Sequence, residues 1–288
     1  MPLSEGLVSH YKLVENNLQA RADATGAHFL YPNGVGVSNT FNAQIDRAAY
    51  FQESAYLEAA NPQVHQFSGP FTISVRVRPE ALTGQRIIVD KANDQYGREY
   101  RIDYYQNAIH FRVWDTNNVL HTVSSAPVTL ANSWYHIVAG LGDTCIWIAV
   151  DGNVQSLAFN GTIASPVNPA TFAVGSKSNL STTYNQLKFR GQLDELSIWD
   201  RELSPADVTI LYNNGAALPY EAYPSVGDVV VPPAPPSGSI VLGDFESEYI
   251  DSDALVVRVV DQFTSMSEVL DPTQATQLRD FLTAFLNT

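Results

Sequence analysis

Residues 189–215 read "FRGQLDELSIWDRELSPADVTILYNNG", and this stretch decides the fold. It opens as a strand carrying adjacent carboxylates, Asp194 and Glu195, and closes as a short helix. Ser204 stands at the N-cap and Pro205 at the first helical position, where a missing N–H costs nothing. Asp207, three residues after the cap, can reach back to the cap N–H and complete a capping box, a place usually held by Glu. Leu203 and Val208 flank the cap as a hydrophobic staple. Gly215 is placed to end the helix in a left-handed conformation. The reading is a strand, a turn and a helix pinned to a larger body by Leu203, Val208, Leu211 and Tyr212.

Outward from here the pattern stays β. "FTISVRVRP" (71–79) puts Phe71, Ile73, Val75 and Val77 on one face and Thr72, Ser74, Arg76 and Arg78 on the other. That is the alternation of a strand with one wet side. "EYRIDYYQ" (99–106) and "AIHFRVWD" (108–115) flank Asn107 as a hairpin, and "CIWIAV" (145–150) runs into the turn pair Asp151-Gly152. Short strands with no long helical pattern between them predict an all-β sandwich. The 288 residues are 45% apolar, enough for a sizeable core. A net charge of −14 argues against nucleic acid and against anionic membrane as partners. The single cysteine, Cys145, excludes an intrachain disulfide and reads as a buried small hydrophobe beside Trp147 and Ala149. No apolar run is long enough to span a bilayer, and "MPLSEGLVSHYKLVENN" lacks the basic start and apolar centre of a Sec-type signal, so membrane insertion and that export route are not expected.

"SVGDVVVPPAPPSG" (225–238) is a proline-rich connector that favours an extended spacer. It divides the chain into a body, 1–224, and a tail, 239–288. From residue 225 onward ten acidic residues face only Arg258 and Arg279, so −8 of the net charge lies there. Asp271-Pro272 reads as a helix start, followed by Leu278, Phe281, Leu282, Phe285 and Leu286 at the spacing of one apolar stripe. Such a stripe suits docking on an assembly partner or on further copies of the chain. "DALVVRVVDQF" (253–263) fits strand or helix equally.

The opening stretch resembles the closing signature of the laminin-G-like, concanavalin A-like lectin and glucanase domains. "GLVSHYKLVEN" (6–16) with "DATG" (23–26), "FSGPFTISVRVRP" (67–79), "NSWYHIVAGLGDTCIWIAVDGN" (132–153) and "FAVGSKS" (172–178) are similar to the family's other segments, in order. Arg76 stands where an aromatic is common. The resemblance covers residues 6–215 and implies a jelly-roll sandwich of two antiparallel sheets. Such domains mostly bind glycans or proteins, often with a structural Ca²⁺, and the fold also hosts glycan-cleaving enzymes.

Three candidate sites follow. Glycan cleavage needs two convergent carboxyls, which the enzymes of this fold carry as Glu-x-Asp-x-Glu. Here "QLDEL" (192–196) keeps only Asp194 and Glu195, which a regular strand sends to opposite faces, so no catalytic residue is assigned. Asp23 and Asp194 match positions that hold Ca²⁺ in some relatives; an Asx-turn at Asp23 and a strand cap at Asp194 are the alternatives. Asp90 and Asp94 form a second, weaker candidate, against a solvated hairpin tip. Arg101, Tyr105, Arg112 and Trp114 share the hairpin with Glu99, Asp103 and His110 and offer the aromatic and planar polar groups that carbohydrate binding uses; an ordinary wet or subunit-covered sheet face is the alternative.

The expectation is therefore a non-catalytic structural or binding protein. The first reading is a virion component, a phage head decoration or tail protein anchored by its tail and part of a larger assembly. The second is a bacterial cell-surface or secreted adhesin that binds glycan. A glycan-cleaving enzyme comes third. Deleting residues 239–288 is expected to leave the body folded, with its cooperative thermal transition intact; a truncated chain that unfolds would show the tail to be part of the core.

Overall fold

In a computed structural model, the structure describes residues 2–16, 19–34, 37–52, 55–92, 97–166, 169–177 and 187–224, and the backbone of 246–247 and 257–258. The chain divides into two units, Met1–Pro233 and Ala234–Thr288. In the second, Glu246–Ser247 pairs antiparallel with Val257–Arg258, so "DALVVRVVDQF" contributes a strand. Leu278, Phe281, Leu282, Phe285 and Leu286 lie outside the described residues, as does Asp94.

The first unit is a sandwich of two antiparallel sheets. One contains β1 (Leu7–Tyr11), β4 (Val37–Thr40), β5 (Ala48–Phe51), β7 (Phe71–Pro79), β12 (Tyr135–Leu141), β13 (Cys145–Val150), β14 (Asn153–Ala158) and β16 (Gly191–Trp199). Their order is β14-β13-β12-β7-β16-β5-β4, with β1 also on β16. The other contains β2 (Arg21–Ala22), β3 (Phe29–Asn33), β6 (Tyr56–Ala59), β8 (Arg86–Ala92), β9 (Arg98–Tyr105), β10 (Ala108–Trp114), β11 (Leu120–Ser124) and β15 (Ala173–Val174), in the order β11-β10-β9-β8-β15-β6-β3-β2.

The expected hairpins form. Gln106 and Asn107, at φ 49° and 63°, turn β9 into β10, and Asp151 and Gly152, at φ 49° and 79°, turn β13 into β14. Positive φ at both turn residues matches the right-handed twist of the flanking strands. Phe71, Ile73, Val75 and Val77 point into the core, against Tyr100, Ile102 and Phe111 of the opposite sheet. Phe67 stacks on Phe71 with ring centres 4.7 Å apart. Burying each such side chain stabilises the fold by roughly 1.5–3 kcal/mol.

The other face of β7 is not wet. Thr72, Ser74 and Arg76 are buried beneath α1 (Pro205–Tyr212) and the chain that follows it. The expected capping box is present: Ser204 Oγ accepts from Asp207 N–H, and Asp207 Oδ2 accepts from Ser204 N–H. Leu203 and Val208 join Leu3, Trp147, Trp199, Leu211 and Tyr223 in a second apolar cluster on this face. Cys145 is half-buried at its margin rather than buried. The helix ends earlier than expected, at a left-handed Asn213 with φ 46°, not at Gly215. Asn tolerates that conformation almost as well as glycine. Arg76, an oddity in the sequence, does the work of a C-cap. Its guanidinium donates to the carbonyls of Leu211 (3.1 Å), Tyr212 (3.0 Å) and Gly215 (3.2 Å), groups a helix end leaves unpaired.

Asp194 and Glu195 do not point to opposite faces. Glu195 sits at φ 49°, and the register against β7 jumps from Asp194↔Arg76 to Ser197↔Ser74. Two residues therefore oppose Val75 in a β-bulge, which sends Glu195 outward with Asp194 instead of into the core. At this bulge β16 also changes neighbour, from β5 (Leu193↔Ala49) to β1 (Leu196↔Tyr11). Asp194 Oδ2 fills the junction by accepting from Gln44 N–H and Ile45 N–H, both at 3.0 Å. Glu195 Oε2 lies 3.2 Å from His10 Nε2, while His10 Nδ1 is joined to Ser197 Oγ (2.7 Å) and Ser197 to the Tyr223 hydroxyl (2.8 Å). The void left between these groups and α1 is about 10 Å³, barely room for one water.

Two outcomes test this description. Arg76→Ala orphans the last carbonyls of α1 and is expected to cost about 3 kcal/mol or more of unfolding free energy by denaturant titration, with Arg76→Lys a poor rescue because one ammonium cannot span the three acceptors. Burial pushes the Asp194 carboxyl up to about 7, against the pull of the Ile45 N–H. A folded-state pKa above the unfolded one means the folded chain holds the proton more tightly, so stability is expected to fall as pH rises from about 4 to 7, by up to about 1.4 kcal/mol per unit. Asp194→Asn keeps the acceptor oxygen and should flatten that fall; an unchanged pH profile would refute the assignment.

Candidate functional site

The outer face of the second sheet gathers the polar side chains predicted for carbohydrate. Strand pairing lines up one row across it: Tyr31, Glu58, Ala173, Asp90, Arg101, Arg112 and Thr122, each opposite the next. Opposed residues share a face, so the hairpin strands do present Arg101 and Arg112 on one side. Two guanidiniums directly opposite repel, and two carboxylates offset this. Arg101 Nε donates to Asp90 Oδ1 at 2.6 Å, and Arg112 Nε donates to Asp103 Oδ1 at 2.9 Å. Gln85 donates to the other oxygen of Asp103. Both aspartates are fully buried while the arginines keep an exposed edge. The result is a neutral, pre-oriented band of planar groups. Beside it, His110 is joined to Ser124 Oγ at 2.8 Å and to the Tyr105 carbonyl at 2.9 Å.

Trp114 does not present an open ring. It is 7% exposed, and the Arg101 guanidinium stands 5.7 Å from its ring centre. Tyr105, at the hairpin end, is 38% exposed. The open aromatics lie at the far side of the face, Phe29 (47% exposed) and Tyr31 (49%), with ring centres 6.5 Å apart. The sequence reading missed them. Their signal was available in "HFLYPN" (28–33), where Phe29 and Tyr31 alternate with Leu30, a core residue. Glu99, expected on the same face, is buried 3.8 Å from Lys91 Nζ, and desolvation pushes its carboxyl up and the ammonium down.

Of the two residues expected at calcium-holding positions, Asp23 spends both oxygens on hydrogen bonds, while Asp194 spends Oδ2 and leaves Oδ1 buried with no partner among the described residues. Asp23 accepts from Ser9 Oγ, His10 N–H, Thr25 N–H, Thr25 Oγ1 and His28 N–H, between 2.8 and 3.1 Å. Its lone pairs organise the turn from β2 to β3, which is the Asx-turn alternative. Asp194 serves the bulge and Asp90 serves Arg101. Among the described residues, no three His, Cys, Asp or Glu side chains stand close enough together to hold a metal ion.

A family described as the concanavalin A-like lectin/glucanases superfamily matches residues 51–209, more than half of the chain. A search of curated proteins found no match. Among solved structures, domain 4 of AbnA, an extracellular GH43 arabinanase from Geobacillus stearothermophilus solved with arabinotriose, aligns at TM-score 0.55 and 17% identity, over 74% of this chain and 98% of that one. The binding domain of Paraclostridial Mosquitocidal Protein 1 aligns at 0.57 and 18%, over 74% and 53%. The ligand-binding domain of Botulinum neurotoxin serotype D, in complex with N-acetylneuraminic acid, aligns at 0.51 and 12%, over 72% and 50%. The chain thus spans about half of each toxin domain, and at these identities the likeness is one of fold. With its two antiparallel sheets, its bulged closing strand and a family match over most of both, this chain belongs to the concanavalin A-like lectin/glucanase superfamily.

Proposed function

We propose that the sandwich is a non-catalytic glycan-binding module whose ligand lies across the outer face of the second sheet. One observation carries this reading: two fixed carboxylate–guanidinium pairs, Asp90–Arg101 and Asp103–Arg112, share a sheet face with open aromatics, Phe29 and Tyr31 on β3 and Tyr105 at the hairpin end of β9. Sugar rings have apolar faces and polar edges, so they suit aromatic rings beside planar groups that need no reordering on binding. The superfamily, and the arabinotriose and N-acetylneuraminic acid held by two structural relatives, support it. Against catalysis stands the burial of Asp194 and Glu195 under α1, where no saccharide reaches them.

The place of this module is read from the tail. The proline-rich connector and the apolar stripe from Leu278 to Leu286 favour an anchored protein, displayed on a virion as a head or tail component. A cell-surface or secreted adhesin uses the same binding face. Copies bound to purified particles at fixed stoichiometry, lost when 239–288 is deleted, separate the first from the second.

The binding reading is tested on a glycan array with the intact chain. Tyr31→Ala and Arg112→Ala are each expected to weaken the leading glycan about tenfold, the size of one lost ring or charged hydrogen-bond contact. An array with no hit, or hits indifferent to both substitutions, would overturn it.

A further inference from the structure

Away from the sheet face, one end of the sandwich holds a hollow of about 370 Å³. Its walls come from both sheets and from the chain that crosses between them. Val8 belongs to β1, Asp200 follows β16, His28 precedes β3, and residues 61–67 connect β6 to β7. The volume falls near the lower end of small-molecule sites, which run roughly 300–1,000 Å³.

These walls are held in place. Asp23 fixes the turn bearing His28 through the His28 N–H at 3.1 Å. Asn61 Oδ1 accepts from Gln63 N–H at 2.8 Å, and the Asn61 and Gln63 carbonyls accept from Val64 N–H and Gln66 N–H. His65 is held at φ 56°, a left-handed conformation that is strained for a non-glycine residue and persists only where its surroundings impose it. Here the Tyr100 hydroxyl donates to the His65 carbonyl at 2.8 Å, and the ring is wedged against Phe172 and His28, with centres 4.6 and 5.4 Å apart. Burial keeps the His65 imidazole neutral and the Tyr11 hydroxyl protonated. The Tyr11 hydroxyl and His65 Nε2 share a hydrogen bond at 3.3 Å, and His65 Nδ1 is buried with no partner among the described residues.

The lining chemistry selects the ligand. Asn61, Gln63, His28 and the exposed Asp200 offer amide, imidazole and carboxylate groups, and Val8 and the edge of Phe67, which is 8% exposed, offer apolar surface. Among the described residues no Lys or Arg lines the hollow, so none of them neutralises a phosphate, sulfate or carboxylate there. Carboxylates and amides beside an aromatic match the alternating hydroxyls and apolar C–H faces of a neutral sugar. We infer that this hollow is a second saccharide subsite, sized for a single neutral monosaccharide unit, with Asp200 and Gln63 taking its hydroxyls and Val8 and the edge of Phe67 its apolar face. The inference rests on the reading of the chain as a glycan binder but uses a different surface.

The test is NMR titration of the full chain with methyl glycosides of glucose, galactose, mannose and arabinose, following the imidazole resonances of His28 and His65. A binding glycoside should move both. Asp200→Ala, at an exposed position, should weaken it about tenfold, as expected for a lost hydrogen bond to a charged group. Gln63→Ala should weaken it less, and Tyr31→Ala should leave it unchanged. Saccharide binding that Tyr31→Ala abolishes while Asp200→Ala and the histidine resonances are indifferent would overturn the subsite and leave the sheet-face reading standing. No binding of any glycoside or array glycan would sink both. Preferential binding of inorganic phosphate or sulfate at the histidines would refute the assignment to a neutral ligand.

Discussion

At Glu195 the backbone enters the left-handed region, and the side-chain alternation of β16 slips by one position. Without that slip Glu195 would face the apolar core, where an unpaired carboxylate costs several kcal/mol. With it, Asp194, Glu195, Ser197 and Trp199 all point outward, and Leu193, Leu196 and Ile198 stay inside. The same position lets β16 exchange β5 for β1 along one edge, and Asp194 takes up the backbone N–H groups stranded at the junction. An outer face lined this way cannot remain open, because its tryptophan and its buried polar groups need cover. Helix α1, Tyr220 and Tyr223 supply that cover, and Arg76 ties the end of the helix to the sheet.

The two outer faces therefore have different fates. On the first sheet the polar groups are spent on one another and on the covering segment, which makes this face structural. On the second sheet the charges are paired within the sheet itself, aspartate beneath arginine, and the aromatics at its margins stay open. Pairing in the plane of the sheet leaves a surface that is polar and rigid, with each of the two arginines matched by an aspartate. That suits an uncharged or weakly charged polyhydroxyl ligand better than an anion. The hollow at the sandwich end has a related character, with no Lys or Arg among its described lining residues and walls fixed by hydrogen bonds.

Much of this was legible in the residues. The core face of β7, the hairpins at Asn107 and Asp151-Gly152, and the cap at Ser204 depend on residues a few positions apart, and local pattern records them. Other features depend on chain that arrives from far away. Arg76 reads as a wet residue because the carbonyls it caps lie about 135 positions later. Trp114 reads as an open ring on an exposed face, but the folded chain buries it. Asp23 reads equally as a calcium ligand or an Asx-turn, and nothing local shows that Ser9, His10, Thr25 and His28 all donate to its oxygens. The bulge left no mark, since Glu has no preference for a left-handed backbone and only the exchange of neighbouring strands requires it.

Residue order alone establishes that the chain builds strands, where two of the hairpins turn and which side of β7 faces the core. These follow from period-2 alternation and turn chemistry, which act over a few residues. The tertiary structure alone decided which outer face stays open, where the paired acids point, and that residues from four separate segments meet around one hollow. Those outcomes depend on strand order and on which distant segment covers which surface. Side-chain alternation fixes two faces for each strand but carries no information about what will lie against the outer one.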